Sequence, residues 1–493
     1  MWNQGSFLDI FVGSSLLAPR TGKEMNTEEY GFTPENRFRD VRRNPLSTFS
    51  IDVDTASYSR IRRFLTEGKM PPWEAVRIEE LINYFRYAYP EPSDGQPFSV
   101  TVGMAVCPWT PEHRLLRIGL KSRSLAMSGA PPSNLVFLVD VSGSMASPDK
   151  LPLLKKAFGL LVEQLREQDR VAVVAYAGSA GLVLDSTPGS QKEDISHAIT
   201  ALESGGSTAG GEGIRLAYQI ARKNFLRDGN NRVILATDGD FNVGESSDGA
   251  MVALIEAERE SGVFLSVLGF GDSNLKDSKM EKLADHGNGN YAYIDTLLEA
   301  RRVLVAEIGA TLVTVAKDVK VQVEFNPAAV GAYRLLGYEN RLLAAEDFNN
   351  DAKDAGDLGA GHTVTVLYEI APAAVSSPAG FVDKLKYQEV IESSWARGSG
   401  EGATVKVRYK EPAGNRSQLL AQVVRGEVET IEQASADFRF AAAIAAFGML
   451  LRDDPLKGQA GYDQVLSLAG SGNNDAARSE FLHLVQTARR LSE

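Results

Sequence analysis

Residues Asn134 to Met145 read NLVFLVDVSGSM. Five apolar residues, Leu135 to Val139, stop at Asp140, and the chain then turns through Ser142-Gly143-Ser144. An uninterrupted apolar run predicts a strand buried on both faces of a parallel sheet. In open α/β sheets ligands bind beyond the carboxyl ends of such strands. Asp140, Ser142 and Ser144 alternate along the loop and can converge on one spot, while Gly143 lets the backbone turn without a Cβ penalty. A carboxylate and two hydroxyls make half of an oxygen site for a hard cation.

The other half is sought downstream. Ser204-Gly205-Gly206-Ser207-Thr208 is a glycine-bearing loop ahead of an amphipathic segment, and Val233 to Asp238 is a second apolar strand ending in an acid. DxSxS at Asp140, Ser142 and Ser144, followed by a loop threonine and a strand-end aspartate, resembles the metal-ion-dependent adhesion site of von Willebrand factor type A domains. The resemblance implies a metal held directly by Ser142, Ser144 and Thr208, with Asp140 and Asp238 bound directly or through water. It also implies that a carboxylate from a partner protein completes the shell. Mg²⁺ suits such a site, with Mn²⁺ or Ca²⁺ as alternatives, because mostly neutral direct ligands leave an electrophilic position for an outside acid. The competing reading is that the two serines cap a following helix.

Composition narrows the field. A chain of 493 residues, 43% of them hydrophobic, can bury a large core and suggests two to four domains. Its 52 basic and 64 acidic residues give a net charge of −12, which argues against nucleic acid or an anionic membrane as the main partner. The single cysteine, Cys107, excludes an intrachain disulfide and a thiolate metal cluster, and reads as a small core residue. Five histidines lack ligand-like spacing, so no zinc centre is expected. No apolar run approaches the roughly 20 residues needed to span a bilayer. Phe7 to Leu17 is a short apolar patch, but Asp9 interrupts it and no basic segment precedes it, so it is read as an arm.

The N-terminal third opens with a polar, irregular stretch and then Thr48 to Val53, a short strand candidate. Asp52-Val53-Asp54-Thr55 has the DxDxT form of haloacid-dehalogenase-type phosphatases, an enzyme reading that rivals a simpler one. In the simpler one Asp54 or Ser57 caps a helix from Tyr58 to Leu65. Ala75 to Tyr87 has helical spacing, and Phe98 to Val106 and Leu115 to Leu120 alternate like half-buried strands.

From Asn134 strands and helices alternate, which predicts a doubly wound sheet. The closing helix is expected over Thr296 to Thr314, running almost directly into a strand at Val319 to Phe325. Beyond Lys317 a period of two returns at Thr363 to Ile370, Lys384 to Val390 and Thr404 to Tyr409, predicting a β-rich module. The acidic stretch Glu346 to Gly361 reads as a solvated loop, and helices are expected at Ile431 to Leu451 and Asp475 to Leu491. No Walker loop, GxGxxG or GxSxG occurs at the strand ends.

Long stretches also resemble the bacterial YfbK-like group of von Willebrand A proteins. They are Asn44 to Leu65 (NPLSTFSIDVDTASYSRIRRFL), Arg77 to Pro90 (RIEELINYFRYAYP) and Tyr333 to Ile370. Members of that group are usually exported or lipid-anchored, whereas this sequence shows neither a clear signal peptide nor a lipobox cysteine. An extracytoplasmic location is expected if a leader was removed, and a cytoplasmic one otherwise.

The expected organisation is an arm over residues 1–45, a helix and β-rich segment over 46–133, a von Willebrand A domain over 134–317, and a β-rich module with terminal helices over 318–493. The fold class is α/β, a doubly wound, mostly parallel sheet flanked by β-rich segments that pack together. The expected function is metal-dependent protein binding without catalysis, since no histidine or lysine accompanies the motif as a base. An intracellular scaffold for an AAA-type ATPase is one rival, and a phosphatase built on Asp52 and Asp54 is the other.

Overall fold

The computed structural model describes residues 34–493 except 52–53, 94, 126–128, 207–209, 240–247, 272–275, 308–312, 376–377, 380–392, 413, 426, 471 and 473–474. In chain order the first elements are β1 (Arg39–Asp40), β2 (Leu46–Ser50), α1 (Ala56–Thr66), α2 (Ile78–Asn83), β3 (Phe98–Val106) and β4 (Arg114–Ser122). A central unit follows: β5 (Ser133–Asp140), α3 (Leu151–Gln164), β6 (Arg170–Tyr176), β7 (Ala180–Pro188), α4 (Lys192–Thr200), α5 (Gly210–Lys223), β8 (Asn230–Thr237), α6 (Asp248–Glu260), β9 (Val263–Phe270), α7 (Asp277–His286), β10 (Tyr291–Ile294) and α8 (Leu297–Arg301). Then come β11 (Thr314–Phe325), β12 (Val330–Leu336), β13 (Leu358–Gly359), β14 (Thr363–Pro372), β15 (Glu401–Lys410) and β16 (Ser417–Arg425), and longer helices at Ala436–Leu451, Tyr462–Gly470 and Ala476–Ser492.

The central unit is a six-stranded sheet in the order β10-β9-β8-β5-β6-β7. Its strands run parallel except β7, which pairs antiparallel with β6 at one edge. The apolar run of β5 divides between the two faces as a pleated strand must. Leu135, Phe137 and Val139 pack with Leu154, Phe158 and Leu161 of α3, while Val136 and Leu138 pack with Ile214, Ala217 and Tyr218 of α5. From β5 the chain proceeds to β6 on one side, and from β8 to β9 on the other. The loops after β5 and β8 therefore part, opening the crevice where doubly wound sheets bind ligands.

Strands from before and after this unit share two further sheets, β1-β12-β14-β4-β3 and β13-β11-β15-β16, with β2 paired to β11. β4 pairs antiparallel with β14, and Leu46 to Ser50 pair with Glu324 to Lys320. The two sheets face each other across a core that includes Phe49, Ile118, Val321, Val323, Val366, Tyr368, Val405 and Val407. Leu115, Leu336 and Leu367 point the other way, into a helical layer with Phe440, Ile444 and Phe481. No helix among the described residues is long and apolar enough to cross a membrane.

This layering explains several departures from the sequence reading. Thr363 to Ile370 was expected to alternate with a period of two, yet Thr363 to Ala371 are all buried, because one sheet covers one face and helices cover the other. β12, buried throughout except at Gly331, carries no period of two and escaped notice. β16 escaped for a different reason: it is a largely exposed edge strand whose apolar residues fall in adjacent pairs, Leu419-Leu420 and Val423-Val424, instead of alternating. The strand expected at Lys384 to Val390 lies outside the described residues. The helix expected from Ile431 begins at Ala436, where Ser435 accepts the Phe438 N–H as N-cap.

Near the N-terminus the helix expected at Ala75 to Tyr87 is only Ile78–Asn83. Ser57 Oγ accepts the Arg77 N–H at 3.0 Å and holds Arg77 extended, so the helix starts beyond it. Neither Asp54 nor Ser57 caps α1, whose N-cap, Thr55, makes no side-chain capping bond. The closing helix is also shorter than expected: α8 is followed by a π-helical turn, Arg302–Ala306, and β11 begins at Thr314. Glu299 and Glu307 both hold the Arg302 guanidinium, at 2.6 and 2.8 Å, where the helix widens. The acidic stretch Glu346 to Gly361 is only partly solvated. Lys320 Nζ donates to Asn350 O at 2.6 Å, and Asp357 Oδ1 accepts the Asp318 N–H at 3.2 Å.

Candidate metal site

β5 ends at Asp140, which is fully buried. Its Oδ1 accepts the Ser142 N–H at 2.9 Å, and its Oδ2 accepts Tyr176 Oη–H at 3.1 Å and Thr237 Oγ1–H at 3.0 Å. Tyr176 closes β6 and Thr237 closes β8, so the strands on either side of β5 orient its terminal carboxylate. Burial pushes the Asp140 carboxyl above the usual carboxylate range; the bonds from Ser142 oppose that, and the charge of Asp238 adds to it.

Beyond Asp140 the chain enters a 3₁₀ turn, Gly143–Ala146, with no side-chain cap. Ser142 Oγ lies 3.1 Å from Ser144 Oγ, and α3 does not begin until Leu151. The helix-cap reading of the serines therefore fails. The loop ahead of α5 lies against this turn, with Gly205 N–H donating to Val141 O at 2.7 Å and Gly143 N–H to Gly206 O at 3.1 Å. Thr208 itself falls outside the described residues.

Asp238, directly after β8, is fully buried, and its Oδ2 accepts from Lys150 Nζ at 3.0 Å. Asp140, Ser142, Ser144 and Asp238 are thus gathered at the carboxyl ends of two adjacent parallel strands. The donors are all oxygen, two carboxylates and two hydroxyls, which suits a hard divalent cation. Three neighbours were missed in the sequence. Tyr176 and Thr237 carried only the weak signal of being strand-terminal. Lys150 contradicts the expectation that no lysine accompanies the motif: it sits in the loop before α3, where only folding brings it to Asp238.

A second acidic group, Asp54, Glu80 and Glu281, lies buried between α1, α2 and α7. Arginines answer it: Arg341 reaches Asp54 at 3.2 Å and Glu281 at 3.0 Å, and Arg77 holds Glu80. His113 is likewise committed, 2.7 Å from Glu369, which also accepts from Trp109 and Arg334.

A doubly wound sheet with this loop at its switch point defines a von Willebrand factor type A domain, and residues 134–305 match the family of that description. Residues 24–117 match a family described as von Willebrand factor, and residues 310–491 match one described as uncharacterized protein YfbK, C-terminal. No enzyme family is among the three. The chain belongs to the YfbK family. It is 43% identical over 478 residues to the uncharacterized protein YfbK of Escherichia coli (strain K12), covering 94% of this chain and 81% of that one. The uncharacterized protein sll0103 of Synechocystis is 30% identical over 188 residues, 38% of this chain and 44% of its own. A von Willebrand factor type A structure from Catenulispora acidiphila aligns with 93% of this chain and 91% of its own at 14% identity, with a TM-score of 0.41.

Proposed function

We propose that this chain is a non-enzymatic binding protein whose Asp140, Ser142, Ser144, Thr208 and Asp238 hold Mg²⁺, or Mn²⁺ or Ca²⁺ in its place, and that the bound ion engages a carboxylate of a protein partner. The observation that supports this reading is the gathering of two serine hydroxyls, 3.1 Å apart, beside the strand-terminal Asp140 and Asp238 at the sheet's switch point. The bound ion supplies Lewis acidity toward an anionic oxygen. The chain's own part is to orient Asp140 through Tyr176 and Thr237 and to place two neutral hydroxyls where the ion meets its partner.

The phosphatase rival loses support at Asp54, whose oxygens are occupied by Tyr291 N–H and Arg341. Titration calorimetry with Mn²⁺ tests the binding reading: wild type takes up one ion, and Asp140→Ala takes up none. Uptake that is equal in the two proteins removes the site from the proposed residues. A Mn²⁺-dependent hydrolysis of p-nitrophenyl phosphate that vanishes in Asp52→Asn would reinstate the enzyme.

A further inference from the structure

Lys150 reaches Asp238 by a built route. Its side chain is 6% exposed, and the Asp238 carboxylate it meets at 3.0 Å is 0% exposed. The stem passes over Gly271, just beyond β9, so closely that a Cβ there would stand 2.1 Å from Lys150 Cε and 2.6 Å from its Cγ. Gly271 also has φ +75°, a conformation that side chains disfavour, and Tyr293 Oη–H fixes its carbonyl at 3.0 Å. At the other end the lysine backbone is tied at Ser147 O, 3.1 Å away, and at the Leu154 N–H, 2.8 Å away. Glycine at 271 thus leaves room for a lysine aimed at one carboxylate of the metal site.

We infer that Lys150 is the internal counter-ion of this site and sets its specificity. By neutralising Asp238 it keeps the affinity for the metal alone low and makes tight binding depend on an acidic partner. The inference rests on the metal reading above. Asp140 and Asp238 would together neutralise a divalent ion and leave little pull on a third carboxylate. With the ammonium in place, the two acids and the lysine leave a single negative charge facing the ion, so the loaded site stays positive toward a partner. The same ammonium repels the incoming ion at short range in a site sheltered from solvent, where charges act strongly. Lys150 acts on the ion through Asp238 and through its field.

Mn²⁺ alone, followed by electron paramagnetic resonance and calorimetry, is the probe, with acetate as the carboxylate. Lys150→Met binds Mn²⁺ at least about tenfold more tightly than wild type, the scale expected for removing one like charge from a sheltered site. Acetate tightens Mn²⁺ binding in wild type by a larger factor than in Lys150→Met. Lys150→Arg, which keeps the charge, stays near the wild-type value, and Lys150→Gln follows Lys150→Met, which guards against a packing defect in one variant. Circular dichroism checks the fold, and Mn²⁺ raises the melting temperature of Lys150→Met more than that of wild type. Equal or weaker Mn²⁺ affinity in Lys150→Met and Lys150→Gln, with wild-type uptake intact, overturns the role of Lys150 and leaves the metal reading standing. Absence of uptake in every protein overturns both.

Discussion

Asp54 Oδ1 accepts the backbone N–H of Tyr291 at 2.8 Å across 237 residues of chain. Its Oδ2 meets Arg341 at 3.2 Å. One buried carboxylate therefore ties the segment leading into α1 to the last strand of the parallel sheet and to the turn after β12, three parts of the molecule that the sequence holds far apart. Removing it strands a strand-end N–H and weakens the field on Arg341, which keeps Glu281 and Asp285. Asp54→Ala should destabilise the protein by about 2–4 kcal/mol, within the range for a buried polar group stripped of its partner. Asp54→Asn retains the acceptor for Tyr291 and should cost less. Urea midpoints followed by tryptophan fluorescence compare the two, and equal losses would show that the Arg341 pair, rather than the Tyr291 bond, carries the stitch.

Arg62 performs the same service for α8. Its guanidinium donates to Asp295 at 2.7 and 2.5 Å, to Glu299 at 2.9 Å and to Tyr84 Oη at 3.0 Å. Burial by itself would raise the Glu299 carboxyl, but Arg302 and Arg62 hold it below its ordinary value. Arg62→Ala strips Asp295 of both guanidinium bonds and should cost about 3–5 kcal/mol. Arg62→Lys, with one point charge for a planar fork, should recover only part of that. Thermal midpoints at pH 7 make the measurement, and a loss below about 1 kcal/mol would mean that the cluster is no more than a surface pair.

These two residues also mark where sequence reading stopped. The central sheet and the Asp140-Ser142-Ser144 loop were legible because a buried parallel strand is a continuous apolar word and its end carries the polar letters. Asp54 looked like a helix cap because local pattern can only propose local partners, and its true partners lie 237 and 287 residues away. Lys150 was invisible for the same reason. It precedes a helix like any other lysine, and only the side-by-side pairing of β8 and β9, whose ends carry Asp238 and Gly271, brings both to it. β12 failed to register because both of its faces are covered, so the period that announces a half-buried strand was never written into it.

Asp357 gives a pH signature. Its Oδ2 is buried without a hydrogen-bond partner among the described residues, and burial pushes its carboxyl from 3.8 up to about 7. The folded state then holds a proton that the unfolded chain releases, so stability contributed by the protonated form is present below the unfolded value and is lost as pH rises through the folded one. The window runs from about pH 4 to pH 7, with a slope of at most about 1.4 kcal/mol per unit. Asp357→Asn, always neutral, should lack this slope. The difference in unfolding free energy between Asp357→Asn and wild type should therefore grow in favour of the variant from pH 4 to pH 7.5. A difference that is flat across that range would place the carboxylate in contact with solvent.

Occupancy of the proposed metal site should not be felt in the β-module. The route would run through α8 and the π-helical turn into β11, since the two lie close along the chain. That turn is pinned from outside: Arg86 donates to Ala306 O at 2.7 Å, Arg302 donates to Thr55 Oγ1 at 2.8 Å, and Arg62 grips Asp295 and Glu299. A ligand can shift an equilibrium only between states that differ in its favour, and typical couplings amount to about 1–3 kcal/mol. Freeing α8 would break several buried ion pairs at once, each costly to strip of a partner, so the turn should stay where it is. Hydrogen exchange over residues 297–306 and 314–325 is then expected to be the same with and without Mn²⁺ and acetate in wild type. In Arg62→Ala the same additions should alter protection over 297–306, because the clamp that outweighs the coupling is gone. A change of more than about tenfold in wild type, equivalent to about 1.4 kcal/mol, would mean that binding at Asp140 is transmitted to β11 despite the clamp.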